Sequence, residues 1–237
     1  MTLKTALVGA MLAAAAAPAF GQFRHYTLDA PEPRPLPRTV VILPPDVIVR
    51  EVSAGGIAEK VPEWTDQASV ALTAAAKSYA GSQKHYLLVE MPGTTQDERD
   101  ELEEYSATLY ALAISAVFLS NYRGTEWNER RRQFDLSMGE GLAFLREKSG
   151  ADAALFIIGQ DTITTPGRRA LAVFGAALGA PVQMGLSVVV GVLVDLKTGD
   201  LLWTNHITSR VRDLKDDRGA LTMIRGIFGS YPSARKW

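Results

Sequence analysis

The chain has no cysteine. That excludes a disulfide framework, a thiol nucleophile and a Cys-ligated metal. It also leaves no cysteine behind the leader to carry a lipid anchor. Histidine is nearly as scarce: His25, His85 and His206 lie far apart, without the paired spacing of a zinc motif, and each is expected to be structural or exposed. Charge is balanced, with 25 basic and 26 acidic residues for a net −1, so no bulk attraction to nucleic acid is implied. The basic run Arg130-Arg131-Arg132 sits beside Glu126 and Glu129 and reads as a solvated helix face. No phosphate-binding loop, dinucleotide fingerprint or Gly-x-Ser-x-Gly elbow occurs. No cofactor and no metal are expected, and nothing around Ser53, Ser187 or Ser209 marks a nucleophile.

What is present begins with a leader. Lys4 supplies a positive start, Ala6 to Ala17 an apolar stretch too short for a membrane span, and Ala17-Pro18-Ala19 and Ala19-Phe20-Gly21 two small-x-small cleavage sites. Residues 1–21 are therefore expected to be a signal peptide and the protein to be exported, in a bacterium to the periplasm or beyond. Residues 22–37 carry Pro31, Pro33, Pro35 and Pro37 among polar residues, a composition that favours extended chain, and read as a linker. Residues 38–231 read as one domain.

The domain is organised around a β-hairpin. Two apolar runs flank Asp195-Leu196-Lys197-Thr198-Gly199-Asp200, where Gly199 can take positive φ and the aspartates can bond nearby amides. The Val-rich run before the turn suits a packed strand, and the mixed run Leu201 to Thr208 suits a half-exposed one. Upstream, Thr39 to Leu43 is a short apolar strand stopped by Pro44-Pro45, and Val47 to Val52 extends it or pairs beside it. Glu63 to Tyr79 reads as a helix with Pro62 at its start, His85 to Met91 as a strand, and Ala153 to Gly159 as another. Thr95 and Glu98 have capping-box spacing for a long helix to Tyr122, whose uncharged second half from Tyr105 to Leu119 is expected to be buried all round. Trp127 to Ser149 reads as a helix bent near Gly139 and Gly141, with Phe134, Met138, Leu142 and Leu145 on its apolar face, and Asp213 to Ser230 as the last helix. From Ala170 to Val194 no residue is charged. Pro181 and several glycines interrupt the run, so the stretch 162–182 is expected to be a flexible apolar loop or short helix of a soluble domain, followed by a strand, the alternative being an insertion that touches a membrane or forms an oligomer. The fold class is an α/β (α+β) sandwich: a mixed sheet of about five strands, ending in the hairpin, packed with helices.

Five residues are candidates for a functional surface: Asp161, Asp195, Trp203, Asn205 and Asp213. Asp161 follows one strand and Asp195 ends another. If those strands are neighbours, the two carboxylates could share a sheet end and hold a cation or act as acid and base. The alternative is that each aspartate caps a turn, with Trp203 and Asn205 packing on a strand face.

Val40 to Pro44, Gly150-Ala151-Asp152 with Gly159, and Asp195, Thr198, Gly199, Asp200 and Trp203 together carry a resemblance. The chain resembles the CsgG-like envelope proteins, which include the curli export channel component, the outer-membrane activator of penicillin-binding proteins and the N-terminal domain of the Tol β-propeller protein. It is also similar to uncharacterised proteobacterial envelope proteins with this hairpin and a following Asp-Leu, here Asp213-Leu214. The resemblance implies a non-enzymatic α/β module and carries over no catalytic residue. The lipid-anchor cysteine common in those families is missing here, and the 162–182 segment lacks the alternating polarity of a membrane β-hairpin.

The sequence thus leads to an exported, non-enzymatic binding or assembly accessory at the periplasm or outer membrane. Its partners would be envelope proteins or a second copy, with peripheral membrane contact through 170–185. The alternatives are a carboxylate-dependent periplasmic hydrolase and a membrane-associated oligomer related to export channels.

Overall fold

A computed structural model describes residues 21–81, 87–89, 91–121, 133–180, 182, 184–210, 212–229 and 231. Residues 1–20 of the expected signal peptide, His85, the Arg130–Arg132 cluster and the start of the helix expected from Trp127 lie outside the described residues.

The fold is an α/β sandwich built on an eight-stranded mixed sheet, three more strands than expected. The strands are β1 (Gly21–Arg24), β2 (Thr39–Ile42), β3 (Asp46–Val52), β4 (Ala58–Lys60), β5 (Leu87–Val89), β6 (Ala153–Thr164), β7 (Ser187–Asp195) and β8 (Leu201–Ser209). The main order is β1-β8-β7-β6-β2-β5, with β3 on β6 and β4 outside β3. Two short strands thus share one edge of β6: β2 pairs in parallel with Ala153 to Leu155, and β3 in parallel with Ile158 to Thr164. Pro44-Pro45 falls between them. Two residues without a backbone N–H interrupt the ladder, and the chain rejoins the same edge as soon as they are past.

The five helices among the described residues are α1 (Pro62–Gly81), α2 (Gln96–Asn121), α3 (Ala143–Ser149), α4 (Pro166–Ala177) and α5 (Asp217–Phe228). Period-two alternation in β6 sends Ala153, Leu155 and Ile157 into the core beneath α1 and α5, and Ala154, Phe156 and Ile158 into the core beneath α2 and α3. A strand buried on both faces is continuously apolar, as Ala153 to Ile158 of β6 and Val188 to Val194 of β7 are.

The capping box forms. Thr95 N–H donates to Glu98 Oε2 at 2.7 Å, Glu98 N–H to Thr95 Oγ1 at 3.3 Å, and Lys148 of α3 bonds the same Glu98 carboxylate. The second half of α2 is not buried all round. As far as its side chains are described, it buries one stripe, Ser106, Leu109 and Ala113, and leaves Ala107, Thr108 and Ala111 exposed. Small and hydroxyl side chains tolerate water, so an absence of charge does not require burial.

The helix expected from Trp127 to Ser149 is also corrected. Residues 134–138 run beside the hairpin, where Ser137 bridges Asp200, Leu201 N–H bonds Leu136 O and Met138 N–H bonds Gly199 O. Among the described residues of this stretch, 133–149, Gly139–Leu142, a 3-10 turn, and α3 are helical. Phe134 is buried by stacking on Phe23, with ring centroids 5.4 Å apart, rather than by lying on a helix face.

The Pro-rich stretch is not a free linker. β1 pairs antiparallel with Trp203 to His206, Phe23 and Leu28 are buried, and Arg34 N–H bonds Thr27 O. The domain therefore begins at β1. This strand covers the outer edge of β8, which would otherwise expose a row of unpaired backbone groups.

Candidate functional site

The register separates the two aspartates that were expected to share a site. Asp161 lies opposite Ser187 and Asp195 opposite Ala153, so they occupy opposite ends of the β6–β7 pair, roughly 26 Å apart at ~3.3 Å per residue. A shared cation site or acid–base pair is excluded.

At the hairpin end, Asp195 Oδ1 accepts the turn amides of Lys197 (2.7 Å) and Thr198 (3.0 Å). Its other oxygen accepts Arg34 Nη2 at 2.6 Å, and Arg34 Nη1 reaches Asp200 Oδ2 at 2.7 Å. One guanidinium thus forks across both acids of the turn, and Thr198 Oγ1 adds a 2.7 Å bond to Asp200. Burial alone would raise the Asp200 carboxyl, but the Thr198 and Arg34 hydrogen bonds and the Arg34 charge outweigh it and hold the group below its ordinary value. His25, buried nearby and bonded through Nδ1 to Thr27 Oγ1 at 2.7 Å, is pushed down chiefly by burial. Arg34 is the residue that sequence reasoning missed. The turn chemistry was visible, but its cation comes from 161 positions upstream. Asp152 of the Gly-Ala-Asp motif plays a comparable part, accepting the amides of Arg38 and Thr39 and the Thr39 hydroxyl, which fixes the start of β2 against β6.

At the other end, Asp161 is buried with Oδ1 bonded by Ser187 Oγ at 2.7 Å and Oδ2 by Leu214 N–H at 2.8 Å. Burial pushes its carboxyl up, and the Asp213 charge adds to that against the two hydrogen bonds. Its neighbour is thus Asp213, not Asp195. Asp213 turns its own carboxylate to Lys215, whose amide bonds Oδ1 at 3.2 Å. Asp161, Trp203 and Asn205 are 1%, 0% and 1% exposed. Trp203 packs against Phe228 and Tyr231, and Asn205 Nδ2 donates to Ile227 O at 2.7 Å. These three hold α5 to the sheet, so the five candidates do not form a functional surface. Among the described residues, no group of three or more His, Asp or Glu side chains converges as a metal would need.

The surface that does stand out is α4. Thr165 caps it by accepting Arg168 N–H, and Pro166 takes the first turn. None of its residues is buried; Val173, Phe174 and Leu178 just beyond it are 70%, 69% and 84% exposed. Leu171, Phe174 and Leu178 follow the three–four spacing of one helical stripe. The chain then folds back: Ala180 N–H bonds Gly175 O at 2.7 Å, so close that a Cβ on residue 175 would fall 2.3 Å from Ala180 O. Met184, Leu186 and, on the β3–β4 turn, Ile57 add exposed apolar surface at this end. Single exposed apolar residues are ordinary, but a stripe on an uncovered helix marks a contact surface. No helix among the described residues is long and apolar enough to cross a membrane.

No protein-family model matches the chain, and no curated protein matches it. Among solved structures it is similar to the PelC dodecamer from Paraburkholderia phytofirmans, with a TM-score of 0.40 and 10% identity over 92% of this chain and 100% of that one. A point variant of that protein gives 0.40 and 12% over the same spans. The lipoprotein GNA1162 from Neisseria meningitidis gives a TM-score of 0.32 and 15% identity over 80% of this chain and 92% of that chain. Likenesses this loose carry neither a function nor an assembly across to this chain.

Proposed function

We propose that the protein is an exported, non-enzymatic accessory of the cell envelope that works by binding, with the α4 end as its docking surface. The observation that carries this reading is a helix with no buried residue, displaying Leu171, Phe174 and Leu178, whereas α1, α2, α3 and α5 each pack a face against the sheet. Full burial of such a side chain from water is worth about 1.5–3 kcal/mol, and Phe174 and Leu178 still have most of that to gain. The leader and the resemblance to CsgG-like envelope proteins supply the compartment. The non-enzymatic reading draws on the fate of the candidate carboxylates: Asp195 is held in a structural fork with Arg34, and Asp161 is sealed in the core. Envelope proteins, a second copy and the membrane surface are all occupants that such a patch can serve.

The test is crosslinking of the tagged protein in intact cells. Wild type is expected to enter defined crosslinked species. Phe174→Asp with Leu178→Asp is expected to lose them at unchanged Tm, while Asp195→Asn keeps them. Unchanged crosslinks in the doubly substituted protein would overturn the reading, and loss of function in Asp195→Asn with an intact fold would return attention to carboxylate chemistry.

A further inference from the structure

The charges around α4 narrow the choice of occupant. The projection itself is uncharged from Ala170 through Val194. Its base carries Arg168 and Arg169 in the first turn of α4. Ser187 pairs with Ser209, and one step beyond this pair Leu186 and Arg210 follow at the same edge, with Arg212 next in the loop. Arg169, Arg210 and Arg212 are exposed.

Four arginines thus stand at the root of an uncharged apolar projection. Two of them sit in the first turn of α4, where Arg169 Nε donates to Thr164 O at 3.2 Å. The acids of this end do not cancel that field. Asp161 is buried and bonded on both oxygens, Asp213 lies 3.9 Å from Lys215 Nζ, and Asp216 caps α5 through Gly219 N–H. Glu51 and Glu59 face each other across the β3–β4 hairpin, one pair in from its tip, beside the Arg50–Lys60 pair. Asp217 and Arg218 follow together in the first turn of α5.

An apolar stripe with arginines at its base matches the layering of an anionic bilayer surface, with acyl chains beneath and phosphates above. We propose that the α4 end docks on membranes containing anionic phospholipid. Leu171, Phe174 and Leu178 enter the headgroup–acyl boundary, and Arg168, Arg169, Arg210 and Arg212 lie at phosphate level. This rests on the reading of α4 as the docking element and names what it docks on.

The experiment is flotation of the purified protein with two kinds of vesicle: phosphatidylcholine alone, and phosphatidylcholine mixed with phosphatidylglycerol. Binding to the anionic vesicles is expected to exceed binding to the neutral ones by at least tenfold and to fall with added salt. Arg169→Gln with Arg210→Gln is expected to weaken it about 25-fold, at about fivefold per arginine. Phe174→Asp is expected to abolish it, and Val70→Asp, on the exposed side of α1, to leave it unchanged. Thermal melts of each variant separate loss of binding from loss of fold.

Equal binding to both vesicles, or no effect of the arginine pair, would overturn the proposal. So would absence of binding combined with a defined oligomer in sedimentation that Phe174→Asp dissociates. That last outcome would assign the stripe to a second copy and leave the docking reading intact. Absence of both vesicle binding and crosslinked species in the wild-type protein would remove the docking reading as well.

Discussion

Arg34→Ala tests whether Arg34 fastens the N-terminal arm to the folded domain. Arg34 reaches Asp195 at 2.6 Å and Asp200 at 2.7 Å, with side-chain exposures of 25% for the arginine and 14% and 23% for the acids. An exposed ion pair contributes about 0–1 kcal/mol, whereas removing one partner of a buried pair costs about 3–5 kcal/mol. These groups are mostly buried but keep an edge to water, and the substitution leaves two neighbouring carboxylates without their shared cation. The expected loss is therefore about 2 kcal/mol, or a Tm lower by roughly 4–8 °C in a domain of this size. Asp200 is held below its ordinary pKa, so its contribution is present above the unfolded carboxylate pKa and is lost as pH falls through the folded one. The deficit of Arg34→Ala should thus be full at pH 7 and shrink toward pH 3. Chemical denaturation across that range measures it, and an Arg34→Ala/Asp200→Asn cycle isolates the coupling. A loss below about 0.5 kcal/mol at pH 7 would refute the reasoning and leave the arm fastened by β1 pairing and the burial of Phe23 and Leu28 alone.

Three further outcomes follow from the geometry. Asp161 is pushed up by burial, so its carboxylate destabilises the fold progressively as pH rises from the ordinary carboxylate range through its raised folded pKa. Asp161→Asn keeps an acceptor for Leu214 N–H and should gain stability relative to wild type over that window, by the order of 1.4 kcal/mol for each tenfold change in proton affinity relieved; a difference curve flat with pH would contradict this. Gly199→Ala should cost more than about 2 kcal/mol by thermal melt, because residue 199 has φ +73° and its Cβ would fall 1.8 Å from Gly139 O. Gly175→Ala ordinarily stabilises a helix by about 1 kcal/mol. Here it should instead raise amide exchange at residues 178–180 while the global Tm stays put, since the clash is with the local return segment.

The hairpin was legible because turn chemistry and both strands are contiguous. Lys-Thr-Gly-Asp needs no distant partner to form, and β7 and β8 end within a residue or two of where their composition changes. The capping box at Thr95 and Glu98 was legible for the same local reason. The arm was not. A Pro-rich stretch is extended whether free or docked, and only the open edge of β8 and the two turn acids decide which. The five candidate residues failed as a surface because alternation along a strand tells outside from inside only when one face meets water. Here helices cover both faces, so Trp203 and Asn205 are buried. The pairing of Asp161 with Ser187 depends on register, which spacing alone does not fix. The stretch 162–182 was legible as apolar and uncharged, and its helix α4 was within the range expected. That nothing in the fold covers this helix could be learned only from the packing.

The most direct measurement of the docking claim uses the absence of cysteine. Phe174→Cys and Val70→Cys each introduce a single thiol, on α4 and on the exposed side of α1. Both should react fully with a water-soluble maleimide in the purified protein. In intact cells, with the reagent admitted to the envelope, the account predicts that Val70→Cys stays reactive and Phe174→Cys becomes protected. Equal labelling of the two in cells would show that the α4 stripe faces water where the protein works, and would contradict the account.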